Sequence, residues 1–289
     1  MIVVRPLCWL ALAAGIGLGS VRGAEAPAAP MTAAGYTVLA ADFHVHGWPD
    51  GIPPWDAVGE ASRRRLDVIA LTSHNSLRGW WLWSHAPWRP APEVLVLPGE
   101  ELTSVGYHMA LVGVTVPVDW RQPAAAAAAA AHAQGGVAIL AHPAGRPFQR
   151  LVTARDLAAV DGLEVAHPEE ETRGKYRQAF TRARAINPGV AAIGSSDFHY
   201  FAPIGLCRTY VFVREPGEAG VLDAIRRGRT VSCDGRGQTA GPAELTAFVG
   251  ARCRADASLP PLGDTAWSRA GTSLAWIALL ALVLVGPRT

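Results

Sequence analysis

The sequence predicts an α/β fold with a mostly parallel sheet, on three observations. Short apolar runs alternate with helix-like stretches between about residues 36 and 235, the pattern of buried strands joined by covering helices. Six of the nine histidines stand at or just past the end of such a run, where α/β folds gather their active-site groups. The surplus apolar residues lie at the two ends of the chain, outside the alternating region.

The elements follow in order. Residues 38–45, 68–72, 94–97, 108–114, 137–140, 163–165, 190–193 and 209–213 are short and apolar enough for strands. Residues 55–66, 153–160, 169–185 and 217–227 read as helices. So does the alanine run 124–133, which Pro123 opens and Gly135-Gly136 closes. Arg63-Arg64-Arg65 reads as a solvated helix end. Trp80, Trp81, Trp83 and Trp88 crowd the segment after His74, either as a pocket wall or as packing.

The ends are of another kind. Residues 1–26 carry Arg5, an uncharged run and the small-residue stretch Ala24-Glu25-Ala26. This is the pattern of a cleaved signal peptide, so the mature chain is expected outside the cytoplasm, in the periplasm or another extracytoplasmic space. Residues 236–268 read as a linker. Residues 270–286 are charge-free and read as a C-terminal membrane anchor.

Composition excludes several classes. Of 289 residues, half are hydrophobic and 17% charged, which excludes a disordered chain. No middle segment stays apolar for the roughly 20 residues a membrane span needs. Net charge is 26 − 24 = +2, too weak for a duplex nucleic-acid binder. Four cysteines are too few for a disulfide scaffold, although Cys207 and Cys233 could pair in an oxidising compartment.

The histidines carry the chemistry. His44 and His46 are two apart, so a strand turns both to one face. Asp197 and His199 repeat that spacing on a late strand. Neutral imidazoles bind divalent cations, and carboxylates such as Glu101 and Asp197 supply the balancing charge and can bridge two metals. Glu164, at the end of the 163–165 strand, points to the same mouth as a supporting carboxylate or acid/base. Asp42 is expected to orient a ligand histidine through its second ring nitrogen. Arg146, four residues past His142, is a candidate anion clamp. His167 reads as a loop histidine, and His85 and His132 as surface residues.

The ordered series resembles the PHP (polymerase and histidinol phosphatase) metal-dependent phosphoesterase superfamily. The carriers are Asp42-Phe43-His44-Val45-His46, Thr72-Ser73-His74-Asn75, Pro98-Gly99-Glu100-Glu101, His108, Ala141-His142-Pro143 and Ser196-Asp197-Phe198-His199. The resemblance covers about residues 40–235. It implies a distorted (β/α)7 TIM-like barrel with two or three divalent metals, Zn, Mn or Fe. His44, His46, Glu101 and Asp197 would hold one. Glu101 would bridge to a second, with His108 and His142. His74 and His199 would hold a third, with Asp50 as candidate last ligand. Two departures touch this third site: Ser73 replaces the usual aspartate, and Asp50 follows His46 one residue sooner than in the commonest pattern.

The resemblance implies hydrolysis by a metal-activated water of a small phosphorylated compound or nucleotide. Export makes the chain similar also to the carbamate-cleaving CehA/McbA branch, so carboxylic or carbamate esters are the alternative. A metal-binding envelope protein without catalysis is the third reading.

Overall fold

The computed structural model describes residues 4–19, 30–86, 91, 93–143, 152–168, 173–199, 202–259 and 266–284. The chain divides into two units, residues 1–26 with 260–289, and residues 27–259. The smaller unit holds α1 (Val4–Gly19) and α9 (Ala266–Leu284), which pack on each other. A Cβ on Gly15 would stand 2.5 Å from the backbone of Ala275, so the residue has to be glycine for this approach. Among the described residues no helix is long and apolar enough to cross a membrane. The stretch expected over 270–286 is helical as far as Leu284, as the greater part of α9.

The larger unit is built on one sheet. In chain order its elements are β1 (Met31–Ala33), β2 (Tyr36–Val45), α2 (Pro54–Arg63), β3 (Val68–Leu71), α3 (Arg78–Ser84), β4 (Leu95–Thr103), β5 (His108–Val112), α4 (Ala124–Ala133) and β6 (Val137–Leu140). Then follow α5 (Ala154–Ala159), β7 (Gly162–Ala166), α6 (Arg173–Ile186), β8 (Ala191–Gly194), β9 (Arg208–Val213), α7 (Glu218–Arg226), β10 (Thr230–Cys233), β11 (Thr239–Ala240) and α8 (Ala243–Ala257). The strand order is β11-β10-β9-β2-β3-β4-β5-β6-β7-β8, with β1 on β2.

The sheet is nearly a closed barrel. At the seam the Thr209 hydroxyl donates to the Gly194 carbonyl and accepts from its amide, each at 2.9 Å, joining β8 to β9. A Cβ at Gly194 would collide with the carbonyl of Arg208, so the seam needs glycine there. One core cluster draws residues from seven strands, among them Ala41, Phe43, Val68, Leu97, Ala110, Ile139, Ile193 and Val211. It is the barrel interior, and α7 closes its floor with Val221, Leu222 and Ile225. Two outer clusters lie under the helices. α4 shows how this works from sequence: Ala124, Ala127, Ala128 and Ala131 are its buried stripe, at helical spacing.

Several expectations are corrected. Among the described pairs, β2–β3, β3–β4, β6–β7 and β7–β8 are parallel and six others antiparallel, so the sheet is mixed rather than mostly parallel. One cause is local: the 104–107 connection is too short for a crossover helix, so β4 and β5 form a hairpin. Residues 236–268 are no simple linker, because β11 and α8 lie there. Leu245, Val249 and Cys253 of α8 recur every four residues and are buried. Cys233 pairs with Cys253, not Cys207, which is buried and in no disulfide. Arg64 is buried, its Nε donating to the Ile204 carbonyl. Trp83 is core and Trp80 packs against the same cluster; Trp81 is exposed and stacks on His85. Trp88 lies outside the described residues.

Candidate metal centre

Strand alternation decides which side chains enter the barrel, and one irregularity matters most. The β2–β3 register shifts between Asp42 and Val45. Phe43 belongs to the interior cluster, yet Val45 packs in an outer one. The bulge has flipped the alternation, so His44 and His46 both turn inward with ring centroids 5.1 Å apart. On β4, Leu97 and Glu101 share the inward face. The hairpin returns β5 from the same edge, with Thr103 opposite His108, so His108 opens a strand while its neighbours close theirs.

Glu101 is the centre of the arrangement. Its Oε1 lies 2.7 Å from His108 Nδ1 and 3.1 Å from His142 Nε2. Its Oε2 lies 3.5 Å from Nε2 of both His44 and His46. Asp197 Oδ1 lies 3.2 Å from the same two nitrogens. Of these six residues all but Asp197 are buried. His44 Nε2, His46 Nε2, Glu101 Oε2 and Asp197 Oδ1 nevertheless have no hydrogen-bond partner, although His74 Nδ1 stands 2.6 Å from Glu101 Oε2. Orphaned buried polar atoms are costly singly, and four converging ones fit a cation between them.

Three groups of side chains can each offer ligand atoms within 4.8 Å of one another: His44, His46, Glu101 and Asp197; Glu101, His108 and His142; and His46, His74 and His199. The last is the most open. The His74 side chain is 33% exposed, and its Nε2 faces His199 Nε2 at 3.0 Å. Two imidazole lone pairs repel at that distance unless a proton or cation lies between them. Nitrogen and carboxylate donors of this kind suit Zn, Mn or Fe.

A second layer fixes the ligands. Glu164 is buried on β7 and accepts from His44 Nδ1 at 2.9 Å. An ionised carboxylate only accepts, so that nitrogen donates and Nε2 is left facing the centre. The other Glu164 oxygen accepts from the His142 amide at 2.6 Å. His142 and Asp197 both have left-handed backbones, φ 26° and 45°, a conformation that non-glycine residues hold only when their surroundings impose it.

The electrostatics are those of a site that wants cations. Burial opposes charge at His44, but the carboxylates of Asp197, Glu101 and Glu164 overcome it and raise its pKa well above the ordinary range. Against the same opposition from burial, Glu101, Glu164 and Asp197 raise His142, and Asp197 alone raises His199. Burial likewise opposes ionisation of Glu101 and Asp197, but His44 and the other histidines hold both well below the usual carboxylate range.

A family model described as PHP-associated matches residues 179–230, a segment that includes Asp197 and His199. No curated protein matches the chain. Among solved structures, a two-domain protein from Bacteroides vulgatus containing a predicted PHP-like metal-dependent phosphoesterase is 23% identical, with a TM-score of 0.58, over 78% of this chain and 73% of that one. The barrel is of the PHP type. A second similar structure is PsfC from Pseudomonas syringae, 17% identical with a TM-score of 0.52, over 75% of this chain and 98% of that one. At such identities the likeness is one of fold.

Within this PHP-type barrel the residues singled out in the sequence fall as follows. His44, His46, His74, Glu101, His108, His142, Asp197 and His199 come together in the three groups. Asp197 and His199 do so from the connection after β8, not from a strand. Asp50 stands beside the third group. Its Oδ2 accepts from the His74 amide at 2.6 Å and lies 3.3 Å from His46 Nδ1, while its Oδ1 is buried without a partner. Burial opposes its ionisation, yet His46 and the His74 amide hold its pKa down at about 2. Asp42 bonds backbone amides, not a ring nitrogen: His44 at 3.2 Å, Ser196 at 3.1 Å and Gly205 at 2.8 Å. It ties the Asp197 connection to β2, and Glu164 takes the expected ring contact. Arg146 lies outside the described residues.

Sequence reasoning passed over two neighbours. The Thr103 hydroxyl lies 2.7 Å from His74 Nδ1. His167, read as a loop residue, is buried with Nε2 3.3 Å from Asp197 Oδ2. It follows a strand end as closely as the ligand histidines do, so the same rule would have found it.

Proposed function

We propose that the chain is a metal-dependent hydrolase that cleaves phosphoesters of a small phosphorylated compound or nucleotide. The observation that carries this reading is the convergence of four buried, unpartnered atoms from His44, His46, Glu101 and Asp197. Two or three divalent cations held there would supply Lewis acidity toward water and toward the attacked ester. His44 and His46 present Nε2 inward because Glu164 and Asp50 engage their Nδ1 atoms. Glu101 offers one oxygen to each of two groups. His74 and His199 face the opening and meet whatever enters.

Phosphoester as substrate is supported by the PHP-type barrel and by the description of the Bacteroides vulgatus protein. One observation favours a carboxylic or carbamate ester as the second reading. Trp48, two residues past His46, is 46% exposed, with the Arg78 guanidinium 6.0 Å from its ring centroid, an aromatic surface close in sequence to a ligand. We also read the chain as exported, supported by the N-terminal pattern and by the Cys233–Cys253 disulfide.

The test is turnover of the full-length chain, reconstituted with Mn or Zn, on matched p-nitrophenyl phosphomonoester, phosphodiester, carboxylic ester and carbamate. Metal-dependent release from a phosphoester is expected. His142→Ala and Asp197→Ala should each lose more activity than the roughly 100-fold typical of losing an outer partner, with far-UV dichroism unchanged. Release from the carboxylic ester or carbamate alone would transfer the assignment to the second reading. Metal-independent release would defeat both.

A further inference from the structure

We infer that His167 is a positioning residue of the metal centre, holding Asp197 so that Oδ1 stays turned toward the cations. The inference rests on the metal-centre reading above. His167 follows β7 at the edge of the barrel where the ligands gather, and it is 6% exposed. Its Nε2 lies 3.3 Å from Asp197 Oδ2. Since an ionised carboxylate only accepts, Nε2–H donates.

The two Asp197 oxygens are therefore unequal. Oδ2 takes the His167 bond, while Oδ1 lies 3.2 Å from Nε2 of both His44 and His46 and 3.3 Å from His199 Nδ1, and has no hydrogen-bond partner. The terminal torsion of an aspartate is soft, so nothing within the residue chooses which oxygen faces inward. The backbone here is fixed, with Phe198 bridged to Val45 and Asp197 held at φ 45°, but it does not set that terminal torsion. A fixed donor on Oδ2 makes the choice. The His167 ring is itself held, edge-on to His142 with centroids 5.5 Å apart and tilted against buried Tyr176 at 5.7 Å. It belongs to none of the three ligand groups and to none of the sequence motifs that define them.

The experiment compares the full-length chain with His167→Gln and His167→Met. The two replacements match in length, and only glutamine can donate. Each protein is equilibrated with Zn2+ or Mn2+ at buffered free concentrations, and bound metal per chain is measured by elemental analysis. His167→Met should weaken at least one cation by about 10–100-fold, and His167→Gln should recover most of that loss. Should His167→Met fail to fold, His167→Leu, which also lacks a donor, replaces it. Equal titrations of the donor-less variant and wild type would overturn the inference, and so would equal losses in both variants. If wild type binds no cation, the metal-centre reading falls and takes the inference with it; if wild type binds and the variants match it, only the inference falls.

Discussion

Glu101 and Glu100 are adjacent, and the strand sends them to opposite fates. Glu101 turns into the barrel, where its two oxygens face different histidines. Glu100 turns outward, accepts one bond from the Val118 amide, and burial pushes its pKa up to about 7. Glu164 matters as much as any ligand, because its two oxygens hold the His44 ring and the His142 amide. Glu164→Gln keeps the size but turns an N–H toward one of those donors. It should weaken metal binding by about 10–100-fold, read as metals per chain at a buffered free concentration; an unchanged titration would remove Glu164 from the account. Proton competition has a definite sign here. The raised pKa values of His44, His142 and His199 mean that the metal-free site holds protons that a cation must displace. Metal affinity should rise with pH, with proton release on binding. At this scale the ligands were legible, since strand-end histidines and Glu101 stand out in the sequence. Their supports were not, because Glu164 meets His44 across 120 residues and only the closed barrel joins them.

At the scale of elements, the hairpin and the bulge build the site. The bulge in β2 turns two successive inward positions toward the centre, and the β4–β5 hairpin brings His108 back to the edge it would otherwise leave. α5 gives a measurable case away from the metals. Thr153 caps it, and the Asp156 carboxylate returns the bond to the Thr153 amide at 2.8 Å. Thr153→Ala should lower stability by about 1 kcal/mol in urea melts at pH 7. Burial opposes ionisation of Asp156, but bonds from Thr153 and the Ala125 amide hold its pKa below the ordinary value. A depressed carboxylate contributes above its unfolded pKa and loses that contribution as pH falls through the folded one. The advantage of wild type over Asp156→Asn should thus be full above about pH 4 and shrink below it; a constant difference down to pH 2 would contradict the assignment. The alanine helix was readable because Pro123 and Gly135 punctuate it. β10 was not, since Thr230–Cys233 is short and half polar although every residue is buried. α8 was read as linker because what fastens it is tertiary: a disulfide to Cys233 and an ion pair from Asp256 to Arg208 at 3.2 Å.

For the whole molecule, barrel closure gathers strand ends from distant parts of the sequence around one opening. The α/β class was legible from apolar runs and their spacing. The mixed strand directions were not, because periodicity reports burial and says nothing of orientation. The disulfide carries a prediction at this scale. Cys233–Cys253 closes a loop of 20 residues, so Cys253→Ser should cost about 3 kcal/mol in chemical denaturation. In the unfolded oxidised full-length chain, thiol titration should detect Cys8 and Cys207 but neither bridged cysteine. The central claim is that the converging histidines and carboxylates hold divalent cations, and anomalous diffraction from crystals grown with Mn or Zn tests it most directly. The account predicts peaks within the His44–His46–Glu101–Asp197 and Glu101–His108–His142 groups, with Glu101 between them. Saturating metal with no peak in either group, or peaks only elsewhere, would contradict it.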